Sequence, residues 1–440
     1  MSRTLIFVSL FVVRLAIGGT ETIAASPSVS PPNIVVILAD DLGIECLTTY
    51  GGRSHDTPHI DALAAQGMRF THCFSNPYCS PSRATLLTGR YPFRNGMKEV
   101  IFDPKRHANT FLHTDQPSFP RELQRAGYAT AIAGKWQLSF LRDRDTIHEF
   151  GFDHYQCWQI ISEAGSRTTR FGTPYFRQDG VVIADGIRER YGPDLNLKFL
   201  TQFIQANARD GRPFLAYSTC LLPHYPWVPT PDSDNQAPEM PETDGKGDPK
   251  FFPDMVAYLD KQVGKLMDVL EEAGIADDTV VVFLADNGTD RGLRNRFKNG
   301  VMIPGGKGTM TDRGTRVPLI VRWPGHVAAG SVCDDLIDFS DMFPTLCELT
   351  GTPLPMEKMD GRSFVPQLFG KLANRRDWVH YQDKEERVVR DREFMLSHRG
   401  ELRRVGNIWE ESSLIEPGDA TNEVQAARKR LQAAFAELGE

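Results

Sequence analysis

The stretch YCSPSRATLLTGRYP, residues 78–92, sets a cysteine at the mouth of a predicted helix, with Pro81 and Arg83 following it and Gly89 as the stop. A helix amino end favours negative charge, and Arg83, one turn on, falls on the same face as Cys79. The pair is therefore suited to an anion or a deprotonated oxygen. Four chemistries compete for Cys79: half of a disulfide, a thiol nucleophile, a thiolate metal ligand, or a cysteine converted into another group.

NIVVILADDLG (33–43) and TVVVFLADNG (279–288) are both continuous apolar runs of strand length that end in Leu-Ala-Asp. Ligands in open parallel sheets gather at the carboxyl ends of strands, so Asp40, Asp41, Asp286 and Asn287 are expected on one edge. Four oxygen donors without imidazole or thiolate suit a hard cation, calcium or magnesium, over zinc. Singly, each of these residues is as well read as a cap for the next turn; two strands ending alike favour a shared site. A thiolate on such an ion is mismatched, and no histidine is paired with Cys79 in sequence to serve as its base. Oxygen at position 79 would suit the ion better than sulfur.

The elements around these residues alternate. Runs that are apolar throughout suit central strands covered on both faces, hence a largely parallel sheet with helices on either side. PFLAYSTCLLPH (213–224) and RVPLIVRWPG (316–325) are further strand candidates, while TPHIDALAAQGMRF (57–70) and DMVAYLDKQVGKLMDVLEEAGI (254–275) carry helical spacing. The segment 226–249 is a polar, proline-rich loop. Beyond residue 375 the pattern changes: ERVVRDREFMLSHRGELRRVGN (386–407) reads as an antiparallel hairpin around His398 to Gly400, and ATNEVQAARKRLQAAFAEL (420–438) as a terminal amphipathic helix. The predicted fold is α/β. It comprises a large mixed, mostly parallel sheet sandwiched by helices (32–375), followed by a small C-terminal antiparallel sheet plus helix subdomain (376–440).

Residues 1–25 combine Arg3, an apolar run and small residues, the pattern of a secretory signal, so the chain is expected to be secreted or periplasmic. No later stretch is long and apolar enough to span a bilayer. A formal charge of -7 over 440 residues, with no long basic run, argues against nucleic acid as a partner. The seven cysteines contain no Cys-x-x-Cys pair, so neither a zinc ribbon nor a thioredoxin motif is present. Six are free to pair in an oxidising compartment or to stay as buried thiols, with Cys79 the candidate odd one.

The run CSPSRATLLTG resembles the Cys-x-Pro-Ser-Arg signature of the type I sulfatases, arylsulfatase-like members of the alkaline phosphatase superfamily. The blocks ADDLG, TPHIDALAAQGMRF, AGKW, LPHYPW, LADNG, GGKGTMTDRGTRVPLIVRWPG and GDATNEVQAA look like their family counterparts, in order. The resemblance implies that Cys79 is converted to formylglycine by a maturation enzyme, and that its hydrate is the nucleophile toward a sulfate ester. It implies Asp40, Asp41, Asp286 and Asn287, with residue 79, as calcium ligands. It further implies Arg83 as support for residue 79, Lys135 and Lys307 on the sulfate oxygens, and His224 assisting the leaving alcohol. Such roles suit the chemistry, because charge spreads over the sulfuryl oxygens during transfer and an imidazole can protonate an alkoxide.

Two departures qualify the resemblance. The family commonly reads Gly-Lys-Trp-His, where this chain has Gly134-Lys135-Trp136-Gln137. Gln137 exchanges hydrogen bonds but takes no proton at neutral pH, so turnover is affected unless another residue, such as His154, supplies the base. Asp312-Arg313 replaces an acidic-glycine pair after Lys307 and points to an altered pocket rim for a larger or anionic substrate. The expected function is a calcium-dependent sulfatase acting on aryl or carbohydrate sulfates. The alternatives are a phosphodiesterase or phosphonate hydrolase of the same superfamily, and a turnover-impaired sulfate-ester-binding protein.

Overall fold

Valine, isoleucine and leucine fill the first long strand, and its side chains are buried on both faces, so it can lie only inside a sheet covered on both sides. The computed structural model describes residues 31–187, 189–234, 245–416, 418–419 and 421–439. The signal expected at 1–25 lies outside the described residues, as does part of the loop 226–249. The first twelve strands are β1 (Asn33–Ala39), β2 (Met68–Phe74), β3 (Ala129–Lys135), β4 (His154–Trp158), β5 (Phe176–Gln178), β6 (Val181–Ile183), β7 (Phe214–Thr219), β8 (Thr279–Ala285), β9 (Arg294–Arg296), β10 (Met302–Pro304), β11 (Arg316–Arg322) and β12 (Ser331–Asp338). Ten form one sheet in the order β12-β2-β11-β8-β1-β7-β3-β4-β5-β6; β9 and β10 make a separate ribbon.

The sheet is mixed and mostly parallel. β1 runs parallel to β7 and β8, β3 to β7 and β4, and β12 to β2. β11 is antiparallel to both its neighbours, and β5 and β6 form an antiparallel edge. Two groups of helices cover it. Pro58–Gln66, Gly192–Asp210 and Phe252–Glu272 pack together, as do Cys79–Thr88, Phe119–Arg125 and Met342–Thr350. The helical run expected over 57–70 divides at Gly67: its end is β2, whose Met68 and Phe70 pair with β11.

A five-stranded antiparallel sheet follows: β13 (Val379–Asp383), β14 (Glu386–Arg390), β15 (Phe394–Ser397), β16 (Leu402–Arg404) and β17 (Ser413–Leu414). The hairpin expected around His398 to Gly400 joins β15 to β16. Helix Asn422–Leu438, capped by the Thr421 hydroxyl accepting from Val424 N–H, seats Val424, Ala427, Leu431 and Ala434 against Val389, Phe394, Leu396 and Leu402. Residues from Pro31 onward are one compact unit, within which the change near residue 375 marks passage from the large sheet to the small one. All seven cysteines are free thiols. Among the described residues no helix is long and apolar enough to cross a membrane.

The register of β1 on β8 matters most for chemistry. Ala39 lies opposite Ala285, so Asp40 and Asp286 emerge side by side from neighbouring strands. The link is made rigid by Asp286 N–H donating to the Ala39 carbonyl at 3.0 Å and Asp41 N–H donating to Asp286 Oδ1 at 3.1 Å.

Candidate active site

Cys79 is the first residue of a ten-residue helix, Cys79–Thr88, that is buried along its whole length. Burial raises the thiol pKa and prevails over the opposing pull of Lys135 and Lys307. A thiol held neutral in this way is a poor nucleophile as it stands. Arg83, one turn on, donates through Nε and Nη2 to Asp286 Oδ2 at 3.0 and 2.7 Å, and through Nη1 to the Lys135 carbonyl at 3.0 Å. It thereby ties the helix to the carboxyl ends of β8 and β3.

Three buried carboxylates meet at this edge. Lys135 Nζ lies 2.8 Å from both Asp40 oxygens, Lys307 Nζ lies 2.7 Å from Asp41 Oδ2, and Asn287 Nδ2 donates to Asp41 Oδ1 at 2.8 Å. Burial would raise Asp40, yet Lys135, Arg83 and Lys307 together hold it below the usual carboxylate range. Asp41 and Asp286 are raised: burial is the main cause in each, Asp40 adds to it, and Asp286 reaches about 6. Asp41 adopts φ 67°, a left-handed conformation that turns its carboxylate back toward the cluster.

Asn287 Oδ1 is buried without a hydrogen-bond partner. An orphaned amide oxygen beside three carboxylates is a donor set that fits a hard divalent cation. Asp40, Asp41 and His224 also bring one ligand atom each within 4.8 Å of one another, with His224 Nε2 at 3.7 Å from Asp41 Oδ2.

A cleft of about 1260 Å³ opens over this cluster, and Cys79, Lys135, Gln137, His224 and Lys307 line it. Lys135 ends β3, and the residue before it must be glycine: at φ 117°, a Cβ on Gly134 would meet the Thr219 carbonyl oxygen at 1.8 Å. Of the nine residues singled out in sequence, Asp40, Asp41, Arg83, Lys135, His224, Asp286, Asn287 and Lys307 thus lie in one connected set of polar contacts, and Cys79 shares the cleft with Lys135, His224 and Lys307. Gln137, at φ 53°, donates from Nε2 to the Ile101 carbonyl at 2.8 Å, and its buried Oε1 has no partner. Its own carbonyl accepts from the Ser80 hydroxyl at 2.9 Å, joining it to the start of the Cys79 helix.

Other expectations are corrected. Asp312 does not form the cleft rim; it is buried in an ion pair with Arg390 of β14, and Arg313 reaches Glu411. His154 lies outside the cleft, paired with Asp179 at the exposed start of β4. Sequence reasoning missed Arg170, a buried cleft residue whose Nη2 donates to His224 Nδ1 at 2.7 Å, and His107, also in the cleft wall. Neither sits in a motif, so no local signal marked them.

A family model described as Sulfatase matches residues 32–352, most of the chain. The chain belongs to the sulfatase family. A second model, for the C-terminal part of N-sulphoglucosamine sulphohydrolase, matches residues 306–400. Human arylsulfatase A is 33% identical over 363 residues, covering 77% of this chain and 68% of that protein. Human N-acetylgalactosamine-6-sulfatase is 34% identical over 382 residues, covering 80% and 68%. The solved structure of Ps i-CgsB in complex with k-i-k-neocarrahexaose superposes with a TM-score of 0.74 at 24% identity over 93% of each chain. The phosphonate monoester hydrolase of Agrobacterium radiobacter shares the fold at a TM-score of 0.64 and 21% identity, over 92% of this chain and 95% of that one. As a sulfatase of the alkaline phosphatase superfamily, the protein is a sulfuric ester hydrolase.

Proposed function

We propose that this sulfatase works with residue 79 as formylglycine and with a divalent cation, calcium foremost, held by Asp40, Asp41, Asp286, Asn287 and residue 79. The observation that carries the reading is the meeting of Cys79, Lys135, Lys307 and His224 in one cleft directly linked to the carboxylate cluster. The hydrated aldehyde supplies a hydroxyl nucleophile, and the cation supplies positive charge toward the sulfuryl oxygens.

The chain's own residues do the rest. Arg83 pins Asp286 and the Lys135 backbone, so that residue 79, the carboxylates and Lys135 keep a fixed spacing. Lys135 and Lys307 are placed to receive the sulfuryl oxygens as charge spreads onto them. Burial, with Lys307, Arg170 and Lys135 nearby, pushes the His224 imidazole well below its usual pKa, so a proton it carries is readily given up. His224 Nδ1 meets both the Arg170 Nη2 donor at 2.7 Å and the Tyr225 carbonyl at 2.5 Å, which leaves Nε2, 3.7 Å from Asp41 Oδ2, as the nitrogen available to the leaving oxygen.

Aryl or carbohydrate sulfates are the proposed substrates. The leader-like residues 1–25 support export, and the Cys-x-Pro-Ser-Arg run supports a maturation enzyme as partner. Mass spectrometry of the peptide spanning residue 79 tests the central step: the expected mass is that of an aldehyde in place of the CH2–SH group. An active preparation carrying only unmodified cysteine would refute the assignment. Hydrolysis of 4-nitrophenyl sulfate should outpace that of 4-nitrophenyl phosphate diesters.

A further inference from the structure

Six lysines and arginines are buried among the described residues: Arg83, Lys135, Arg170, Arg322, Arg376 and Arg390. Five have a carboxylate within ion-pair distance, on Asp286, Asp40, Glu271, Asp341 and Asp312 in turn. Arg170 has none among the described residues, and its Nε is buried without a hydrogen-bond partner. Its guanidinium lies 4.9 Å from the centre of the Trp158 ring and 5.3 Å from that of Phe171, with Nη2 on His224 Nδ1. With no carboxylate at ion-pair distance, this buried guanidinium, braced on aromatic faces, has the fork geometry that receives two oxygens of a carboxylate or sulfate at once.

Its position says which part of a substrate would supply the anion. Lys135 and Lys307 lie on the side of the carboxylate cluster, whereas Arg170 touches the far nitrogen of the imidazole assigned to the leaving oxygen. We propose that Arg170 receives a second anionic group, a carboxylate or a further sulfate, carried by the alcohol portion of the substrate. The inference rests on the sulfatase site described above and narrows its substrates to esters of anionic alcohols.

Phenyl sulfate, 3-carboxyphenyl sulfate and 1,3-phenylene disulfate share one ring and differ in the second anion. In the mature enzyme, Arg170→Gln should lower kcat/KM for a dianionic ester relative to phenyl sulfate by about tenfold or more, the scale of a lost charge-assisted hydrogen bond. Whichever dianion shows the effect identifies the group. Binding of 3-hydroxybenzoate and of 3-hydroxyphenyl sulfate should each exceed that of phenol, and the excess for the matching anion should vanish in Arg170→Gln. An equal loss on all three esters would reduce Arg170 to positioning His224 and overturn the subsite, as would unchanged ratios. If the parent hydrolysed none of the esters, the reading of the site as a working sulfatase would fail, while Arg170-dependent binding of the two product-like anions would still decide the subsite.

Discussion

Lys307 Nζ and Asp41 Oδ2 lie 2.7 Å apart, and the same carboxylate oxygen faces His224 Nε2 at 3.7 Å. Asp41 therefore stands between the proposed cation, the lysine proposed to receive sulfate and the proposed acid. Asp41 holding a divalent ion through this oxygen would give up its bond to the ammonium, and Lys307 would then be free for substrate. Lys307→Ala is expected to bind calcium about tenfold more tightly, the scale of one charge-assisted hydrogen bond, while losing on the order of 10²-fold in turnover. Calorimetric titration at about pH 8, where model carboxylates are ionised, reads the first effect and steady-state kinetics the second. Weaker calcium binding in the variant would show that the two cations do not compete.

Arg83 joins Asp286 through two nitrogens and the Lys135 carbonyl through a third. Arg83→Lys keeps the charge but cannot fill three positions with one nitrogen in this geometry. Loss of stability by about 1–3 kcal/mol is expected, since buried groups are left without partners. Denaturant titration should show a lower midpoint with an unchanged slope. Wild-type stability in this variant would mean that the fork does not hold the two strands.

His380 on β13 is buried against Tyr91 and Phe93 with neither ring nitrogen hydrogen-bonded. Burial, with Arg387, Arg94 and Arg376 nearby, pushes its pKa down to about 3. The unfolded chain takes up the proton near pH 6.5 and the folded one does not, so stability is full above about 6.5 and is lost as pH falls toward about 3. Asp338, raised to about 6 chiefly by burial, carries the opposite slope between its unfolded value and about 6. Replacing the imidazole with His380→Phe should remove about 2 kcal/mol of the loss between pH 8 and pH 5. Thermal unfolding at the two pH values checks this; the same pH slope in both proteins would exclude His380 as its source.

The parts of the site that were legible in sequence are those written along single strands. β1 and β8 were readable because both are buried on both faces, and their identical ends placed Asp40 beside Asp286. The antiparallel direction of β11 was not readable, since side-chain periodicity is the same whichever way a strand runs. Met68 and Phe70 fit helical spacing and were lost to pairing with β11, a tertiary preference no local window contains. Arg170 stands 54 residues from His224, and Asp312 stands 78 from Arg390. Each is a common charged residue without a local signal until the fold brings its partner to it.

Gln137 tests how this chain turns over. Its side chain lines the cleft with Cys79, its Nε2 is held by the Ile101 carbonyl, and its carbonyl is bound by Ser80, next to residue 79. A glutamine so placed donates and accepts hydrogen bonds but moves no proton, and His154, at the exposed start of β4 and outside the cleft, cannot stand in for it. The groups proposed to act up to departure of the alcohol, Lys135, Lys307 and His224, are all in the cleft. Release of sulfate is the step left without a side-chain base at this position, and general-base help is typically worth about 10²- to 10⁴-fold. Rapid mixing with 4-nitrophenyl sulfate should therefore give a burst of nitrophenol followed by slow turnover. Gln137→His should raise the slow rate and leave the burst rate nearly unchanged. Retained tight binding of sulfate esters with no turnover after the burst would make the chain a sulfate-ester binder in practice. Linear kinetics in the parent, or an unaltered steady rate in Gln137→His, would show that release is not limited by the missing base.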